Sequence, residues 1–458
     1  MLALLALFVA PRLHRQDAFI TIDEWIPLEV SAAMSAQGAL DPNWALAPGL
    51  EDAFRYPQYN FYFYHIAAHG LIRAAHALGG APLLWLRAAN LVWQLLAAGL
   101  LVDALRRLGA SRTTLALLAA LLATAPGLVQ DAHIARTESL LLALTAAAAW
   151  ALTLPAPLPQ RAFAAGIFLG LAGAAKVTAL SAGAVAAVAG LWLLRTGGLT
   201  ARPLVQTGAA LGGGVLLGFA LGAPQALLHP QVFLNGLAAL QAQYATGQPP
   251  HSPEHFTPAA QALHIGRYFL ELYGAAVPLA LAAPFLLRGR ERGMTAALLA
   301  GFLVLAALFV TRPVFFERNF AHAVPLLLAA TALAVPALPG RWLRRAAVTA
   351  CLLPMGYWSA QVALAIPEQA GRPAIEAALA PDRRLEFGDF FQPGLPGGCR
   401  LIAVPDYNDP WSAGFLARLR QAGFREVARH EGRFHALSTS TLQTELGGDL
   451  HYLACPAG

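Results

Sequence analysis

The chain has 458 residues, of which 57% are hydrophobic and only 12% charged, and its mean hydropathy is +0.54. Soluble proteins carry about 25% charged residues, so a string of soluble domains is excluded. The net charge of +6 is spread over short clusters between apolar runs, the pattern of membrane-protein loops rather than of a nucleic-acid-binding face.

Apolar segments suited to a bilayer core of about 30 Å recur at 1–13, 82–105, 113–129, 138–154, 162–175, 178–194, 204–228, 268–287, 294–311, 321–338 and 346–365. The first is short. It lacks the basic n-region and cleavage site of a signal peptide, so either the true start lies upstream or the helix runs through Pro11 towards Arg15. Residues 16–81 form a long loop. Within it, 24–37 has helical spacing, and 58–79 is amphipathic with His65, His69, Arg73 and His76; both read as helices on the membrane surface. The pair at 162–194 reads either as one long tilted helix or as two short ones broken near Lys176. A second long loop covers 229–267.

From 366 the charges return. A helix at 368–380, a strand at 400–405, a helix at 411–422 and strands near 424–429, 433–437 and 449–454 make a small α/β domain over 366–458. The predicted fold is therefore mainly α: a polytopic bundle of about eleven spans over 1–365, followed by that domain. No internal repeat supports an inverted-repeat transporter.

Arginine clusters set the orientation. Arg106, Arg107 and Arg112; Arg195 and Arg202; Arg288, Arg290 and Arg292; and Arg341, Arg344 and Arg345 occupy four alternate turns. With an odd span count and an inside N-terminus, all four are cytoplasmic. The acids Asp23, Glu24, Asp131, Glu138 and Glu317 then fall outside with both long loops and the tail, and so would any chemistry.

The Asp23-Glu24 pair follows the first span. A carboxylate there can take a proton from an attacking hydroxyl or ligate a divalent metal; it can also be a solvated acid at a helix start. The turn QDAHIARTES gathers Asp131, His133, Arg136 and Glu138 beside hydrocarbon, where charges must pair or face water. Lys176 is the only lysine among 31 basic residues. It lies in an apolar stretch and suits a phosphate, unless it snorkels to the headgroups. Arg318, beside Glu317, can clamp a phosphate oxygen or pair with that acid. Tyr56 and Tyr59 can stack on sugar rings or belong to an interfacial aromatic belt. Cys351 reads as a core residue. Cys399 and Cys455 lie beside predicted strands in the outer, oxidising compartment and are expected to form a disulfide.

Together these residues resemble the C-superfamily (GT-C) glycosyltransferases, in the branch of the family 39 protein O-mannosyltransferases and the lipid A aminoarabinose transferases. The carriers are Asp23-Glu24, Gly38–Trp44 (G-x-L-D-P-N-W), Tyr56-Pro57, Arg87, Arg136–Glu138, Gly166–Lys176 (G-x-x-x-G-L-A-x-x-x-K) and Arg318–Pro325. The resemblance implies inverting transfer of a sugar from a polyprenyl phosphate to an acceptor hydroxyl outside the cytoplasmic membrane. It assigns Asp23 as base, makes Lys176 and Arg318 the candidates for the donor phosphate, and puts Glu138 at the second acid. From the residues alone, Arg136 is a further candidate for the phosphate, and Glu138, Asp131 and His133 for the acceptor, a metal or the second acid. Two positions depart from the pattern: Glu138 stands where the pattern usually has Asp, and His322 where it usually has an apolar residue. The acceptor would be a glycan, a lipid or a protein. The rival readings are an O-antigen ligase-like or polymerase-like enzyme, a transporter, and a non-catalytic scaffold for the tail.

Overall fold

A computed structural model describes residues 2–13, 24–50, 55–196, 200–246, 256–369, 385–387, 401–406, 410–431 and 449–454. All eleven apolar segments are helical within it, as the sequence predicts. The chain begins with α1 (Leu2–Leu13), α2 (Trp25–Gln37) and α3 (Tyr62–Ala77). Next come α4 (Pro82–Arg107), α5 (Arg112–Ala123), α6 (Pro126–His133), α7 (Glu138–Ala151) and α8 (Leu158–Ala175). A 3-10 turn over Val177–Ala182 leads into α9 (Gly183–Arg195) and α10 (Ala201–Gly222). Then follow α11 (Pro224–Leu228), α12 (Pro230–Thr246), α13 (Pro258–Tyr273), α14 (Ala276–Leu286), α15 (Gly289–Val310), α16 (Val324–Ala334) and α17 (Arg341–Gln369).

Five of these stretches are long and apolar enough to cross a membrane singly, and seven are if two bent pairs count as spans. One bent pair corrects the sequence reading. The segment 268–287 is not one straight span: α13 and α14 meet at 98°. Gly274 turns the chain there with φ +52, and a Cβ on it would overlap the Ala350 carbonyl. The loop expected at 229–267 is also largely helical, supplying α12 and the first part of α13.

The second bend, 51° between α5 and α6, follows from Pro126. Proline has no N–H, so the Leu122 carbonyl at the end of α5 loses its helical donor. Arg12, fully buried, supplies replacements: its Nη2 donates to the Leu122 carbonyl at 3.1 Å and its Nη1 to that of Ala123 at 3.0 Å. A guanidinium at a helix C-terminus is also favoured by the helix dipole. α1 accordingly continues through Pro11 to Leu13, and the segment near Lys176 is a break between two helices.

α8 and α10 run in direct backbone contact. A Cβ at Gly166 or Gly170 would overlap the carbonyls of Leu211 and Val215, and one at Gly214 or Gly218 those of Phe163 and Ile167. This is close helix approach through small residues, as in membrane interiors. It explains the glycine spacing before Lys176: the motif packs the helix whose end carries the lysine. Gly218→Ala is expected to cost about 1–3 kcal/mol by overpacking and to lower the thermal unfolding temperature in detergent. Gly212→Ala, where nothing lies within 4 Å, serves as control; equal behaviour of the two variants would refute close packing at Gly218.

In the tail, four strands, β1 (Leu385–Phe387), β2 (Leu401–Asp406), β3 (Arg425–His430) and β4 (Asp449–Ala454), form one sheet in the order β1-β2-β4-β3. β1 and β2 are parallel and the other pairs antiparallel. Helix α18 (Pro410–Gln421) packs Leu416 and Leu419 with Val404, Phe424 and Leu453. The expected helix at 368–380 falls almost wholly outside the described residues, and the strand at 433–437 and both tail cysteines fall entirely outside them.

Candidate active site

One polar stripe organises one end of the bundle. Arg87, Asn90 and Gln94 recur on α4 at spacings of three and four, so they share a helix face, and all three are buried. Asn90 Nδ2 donates to the carbonyls of Asp131 and Ile134 at 3.1 and 2.6 Å, and Gln94 Nε2 donates to that of Leu128 at 2.8 Å. These bonds fix the turn between α6 and α7, whose backbone would otherwise be unsatisfied in apolar surroundings.

Arg87 holds a different partner. Its Nε and Nη2 donate to the two oxygens of Glu24 at 2.9 and 2.7 Å, and the Ala135 N–H donates to Glu24 Oε1 at 2.7 Å. Both side chains have 0% exposure. For Glu24, the candidate beside Asp23, the structure shows an anchor: with a bidentate guanidinium and an amide on it, its carboxylate ties α2 to α4. Asp23 lies outside the described residues.

The turn itself carries a chain of charges. Arg136 Nη2 reaches Asp131 Oδ1 at 2.6 Å, and Arg136 Nε lies 3.4 Å from Glu138 Oε2. The other Glu138 oxygen accepts from Lys176 Nζ at 2.7 Å. The helices favour this placement: Glu138 opens α7 and Lys176 closes α8, each at the dipole end that suits its sign. Lys176 also sits 5.8 Å from the ring centroid of Phe61. Phe61 has φ +58, an uncommon conformation for a bulky residue and of the strained kind that gathers at functional sites. Arg318 stacks over Phe316 at 4.8 Å and is close enough to act electrostatically on Glu138 and Lys176. Its turn is anchored by Phe320, whose ring lies 5.2 to 5.8 Å from Phe269, Phe302, Phe309 and Phe315.

The structure thus brings together Asp131, Arg136, Glu138, Lys176 and Arg318. It redirects others. His133 Nδ1 is 2.7 Å from the Val129 carbonyl within its own helix. Among the described residues no three His, Cys, Asp or Glu side chains converge on a metal position. Tyr59 is buried, 5.4 Å from Tyr62, so its ring is packing and not an open sugar platform; burial and then the Asp41 carboxylate push its hydroxyl well above the usual phenol range. Tyr56 is half-buried. His65 is wholly buried among Trp44, Phe61 and Tyr64, and burial lowers its pKa to about 3, so the imidazole is neutral. Sequence reasoning missed Arg12, Asn90, Gln94, Ser181 and the contact of Tyr273 with Glu317 at 2.7 Å. The spacing of Asn90 and Gln94 behind Arg87, inside an apolar span, was a usable signal.

No protein-family model matches the chain, and no curated protein matches it. Among solved structures, the aminoarabinose transferase ArnT from Cupriavidus metallidurans bound to undecaprenyl phosphate superposes with a TM-score of 0.59 at 15% identity, covering 100% of this chain and 97% of that one. Its apo form gives 0.53 at 16% identity, over 82% and 70% of the two chains. The chain shares the fold of these two structures.

Proposed function

We propose that the protein is a glycosyltransferase that moves a sugar from a polyprenyl-phosphate donor to an acceptor hydroxyl at the outer face of a bacterial cytoplasmic membrane. The observation that carries this reading is the Arg136–Glu138–Lys176 chain, with Arg136 and Glu138 buried and the lysine side chain 9% exposed. An ammonium held in an apolar bundle marks a ligand site by default. Here it can leave its carboxylate for a phosphate while other cations stay near Glu138: Arg136, shared with Asp131, at 3.4 Å, and Arg318 within electrostatic reach. The ArnT structure bound to undecaprenyl phosphate supports a lipid phosphate as that ligand.

In this scheme Asp23, joined to Glu24 by one peptide bond, takes the proton of the acceptor hydroxyl as that oxygen attacks the anomeric carbon. The bond from that carbon to the phosphate oxygen breaks, and polyprenyl phosphate departs with Lys176 and Arg318 on its new charge. A single displacement inverts the centre. Transfer from radiolabelled polyprenyl-phosphate sugars to membrane acceptors tests the reading, alongside native mass spectrometry of the co-purified lipid. Purified protein that neither retains a polyprenyl phosphate nor transfers from any donor in the panel would refute it.

The orientation is tested by labelling. Single cysteines at Ala110 and Arg290 are expected to react only from the cytoplasm, and one at Asn408 only from outside; outside reaction at 290 overturns the topology. In the tail, Leu401 pairs with Ala454, one and two residues inside Cys455 and Cys399. This proximity supports the expected disulfide, which in the chain-entropy model stabilises the tail by about 4 kcal/mol. Alkylation of unreduced, denatured protein should then find one free thiol, from Cys351; three would disprove the bond.

A further inference from the structure

His322 takes no part in the ion pairs, yet it is 1% exposed and its Nε2 lies 3.0 Å from Ser181 Oγ. The backbone of Thr178 is a second neighbour of the ring, and Lys176 and Glu138 are near enough to act on it electrostatically. Thr178 and Ser181 both belong to the 3-10 turn Val177–Ala182, which begins directly after Lys176. His322 itself follows Arg318 by four residues, on the turn before α16. One imidazole therefore holds the turn of Lys176 against the turn of Arg318.

There is a physical need for such a tether. Lys176 and Arg318 repel each other, so nothing in their own charges keeps them at a common site. The intervening 3-10 turn has poorer hydrogen-bond geometry than an α-helix and holds its shape less firmly. An apolar side chain at 322 would pack but not bond. An arginine or lysine would add a third like charge. Histidine can hydrogen-bond as a neutral ring.

We propose that His322 is a positioning residue, whose bond to Ser181 sets the spacing of Lys176 and Arg318 and so tunes the site for the phosphate of a polyprenyl lipid, esterified to sugar in the donor and free in the departing polyprenyl phosphate. The inference rests on the donor-phosphate reading above and deepens it. It concerns affinity for the phosphate, not the chemistry of transfer.

The test is the affinity of nanodisc-embedded protein for undecaprenyl phosphate, titrated by native mass spectrometry. Undecaprenol, the same chain without the phosphate, serves as control, and thermal unfolding is recorded for each variant. His322→Leu and Ser181→Ala should each weaken undecaprenyl phosphate binding by about 2- to 12-fold, the net worth of one hydrogen bond, and leave undecaprenol binding unchanged. The double variant should be no weaker than the weaker single one, because both remove the same bond. His322→Gln, which can still reach the serine hydroxyl, should recover most of the affinity. Unchanged phosphate affinity in both single variants would overturn the proposal. So would an equal loss for undecaprenol, which would mean packing alone, or a multiplicative loss in the double variant. If the unaltered protein does not prefer undecaprenyl phosphate to undecaprenol, the functional reading fails and takes this inference with it; if it does and the variants match it, only the role of His322 is lost.

Discussion

Glu24→Gln is expected to reduce the yield of folded protein and its unfolding temperature, whereas Asp23→Asn is expected to leave both intact and abolish transfer. Glu24 is fully buried, and its two oxygens accept three hydrogen bonds, two from Arg87 and one from the Ala135 amide. Removing one charge of a buried pair strands the other, which costs about 3–5 kcal/mol. The amide of glutamine can accept at one oxygen but must turn an NH2 towards Arg87, which has only donors. Loosening this anchor frees α2 from α4 and lets the α6–α7 turn shift with Ala135. Asp23 is the proposed base, so its loss should register in the proton-transfer step. The measurements are size-exclusion yield, thermal unfolding, undecaprenyl phosphate affinity and transfer for the two variants in parallel. If Asp23→Asn unfolds the protein and Glu24→Gln only stops turnover, the two roles are exchanged; if Asp23→Asn retains full transfer, the base lies elsewhere.

How far the sequence could foresee this depends on the kind of residue. The apolar segments were legible because each needs only local hydrophobicity and length, and the glycine spacing at Gly166 and Gly170 was visible as a motif. Its physical meaning was not, since the partner glycines at 214 and 218 lie some fifty residues away and only the packed pair shows backbone contact. The bend at Gly274 was hidden for the same reason: its neighbour is the Ala350 carbonyl on α17. Composition placed Glu24 beside Asp23 as though the two were alike, because a pair of adjacent acids carries no sign of which one turns inward. The mate that decides it, Arg87, is 63 residues further on. Arg136 shows the opposite case. The sequence left it open between phosphate ligand and internal salt bridge, and the structure shows the salt bridge, to Asp131 and Glu138 together. For Arg12 the clue was weak, because an arginine at the end of a short first helix looks like an ordinary flanking charge. Its work depends on Pro126 having removed a donor from a helix elsewhere in the chain.

Lys176→Ala is expected to weaken undecaprenyl phosphate binding by about 10- to 150-fold, the worth of one hydrogen bond between charged groups, while the fold survives. The fold should survive because Arg136, shared with Asp131, and Arg318 remain near Glu138 when the ammonium is gone. Lys176→Met keeps the length and the contact with Phe61 but removes the charge, and should bind as poorly as the alanine variant. Lys176→Arg tests shape. Every other cation in this chain is arginine, so a position that tolerated a guanidinium would be expected to have one. The side chain is confined instead, with its Nζ between Glu138 Oε1 at 2.7 Å and the Phe61 ring centroid at 5.8 Å. A planar fork is wider than an ammonium and would drive against Phe61, whose backbone is already held at positive φ. Partial recovery is therefore predicted for the arginine variant, with affinity between those of the methionine variant and the unaltered protein. The measurement is binding and turnover of all three variants in one nanodisc preparation. Full affinity in Lys176→Met would show that the lysine neutralises Glu138 and does no more, and the phosphate site would have to be sought at Arg318 alone.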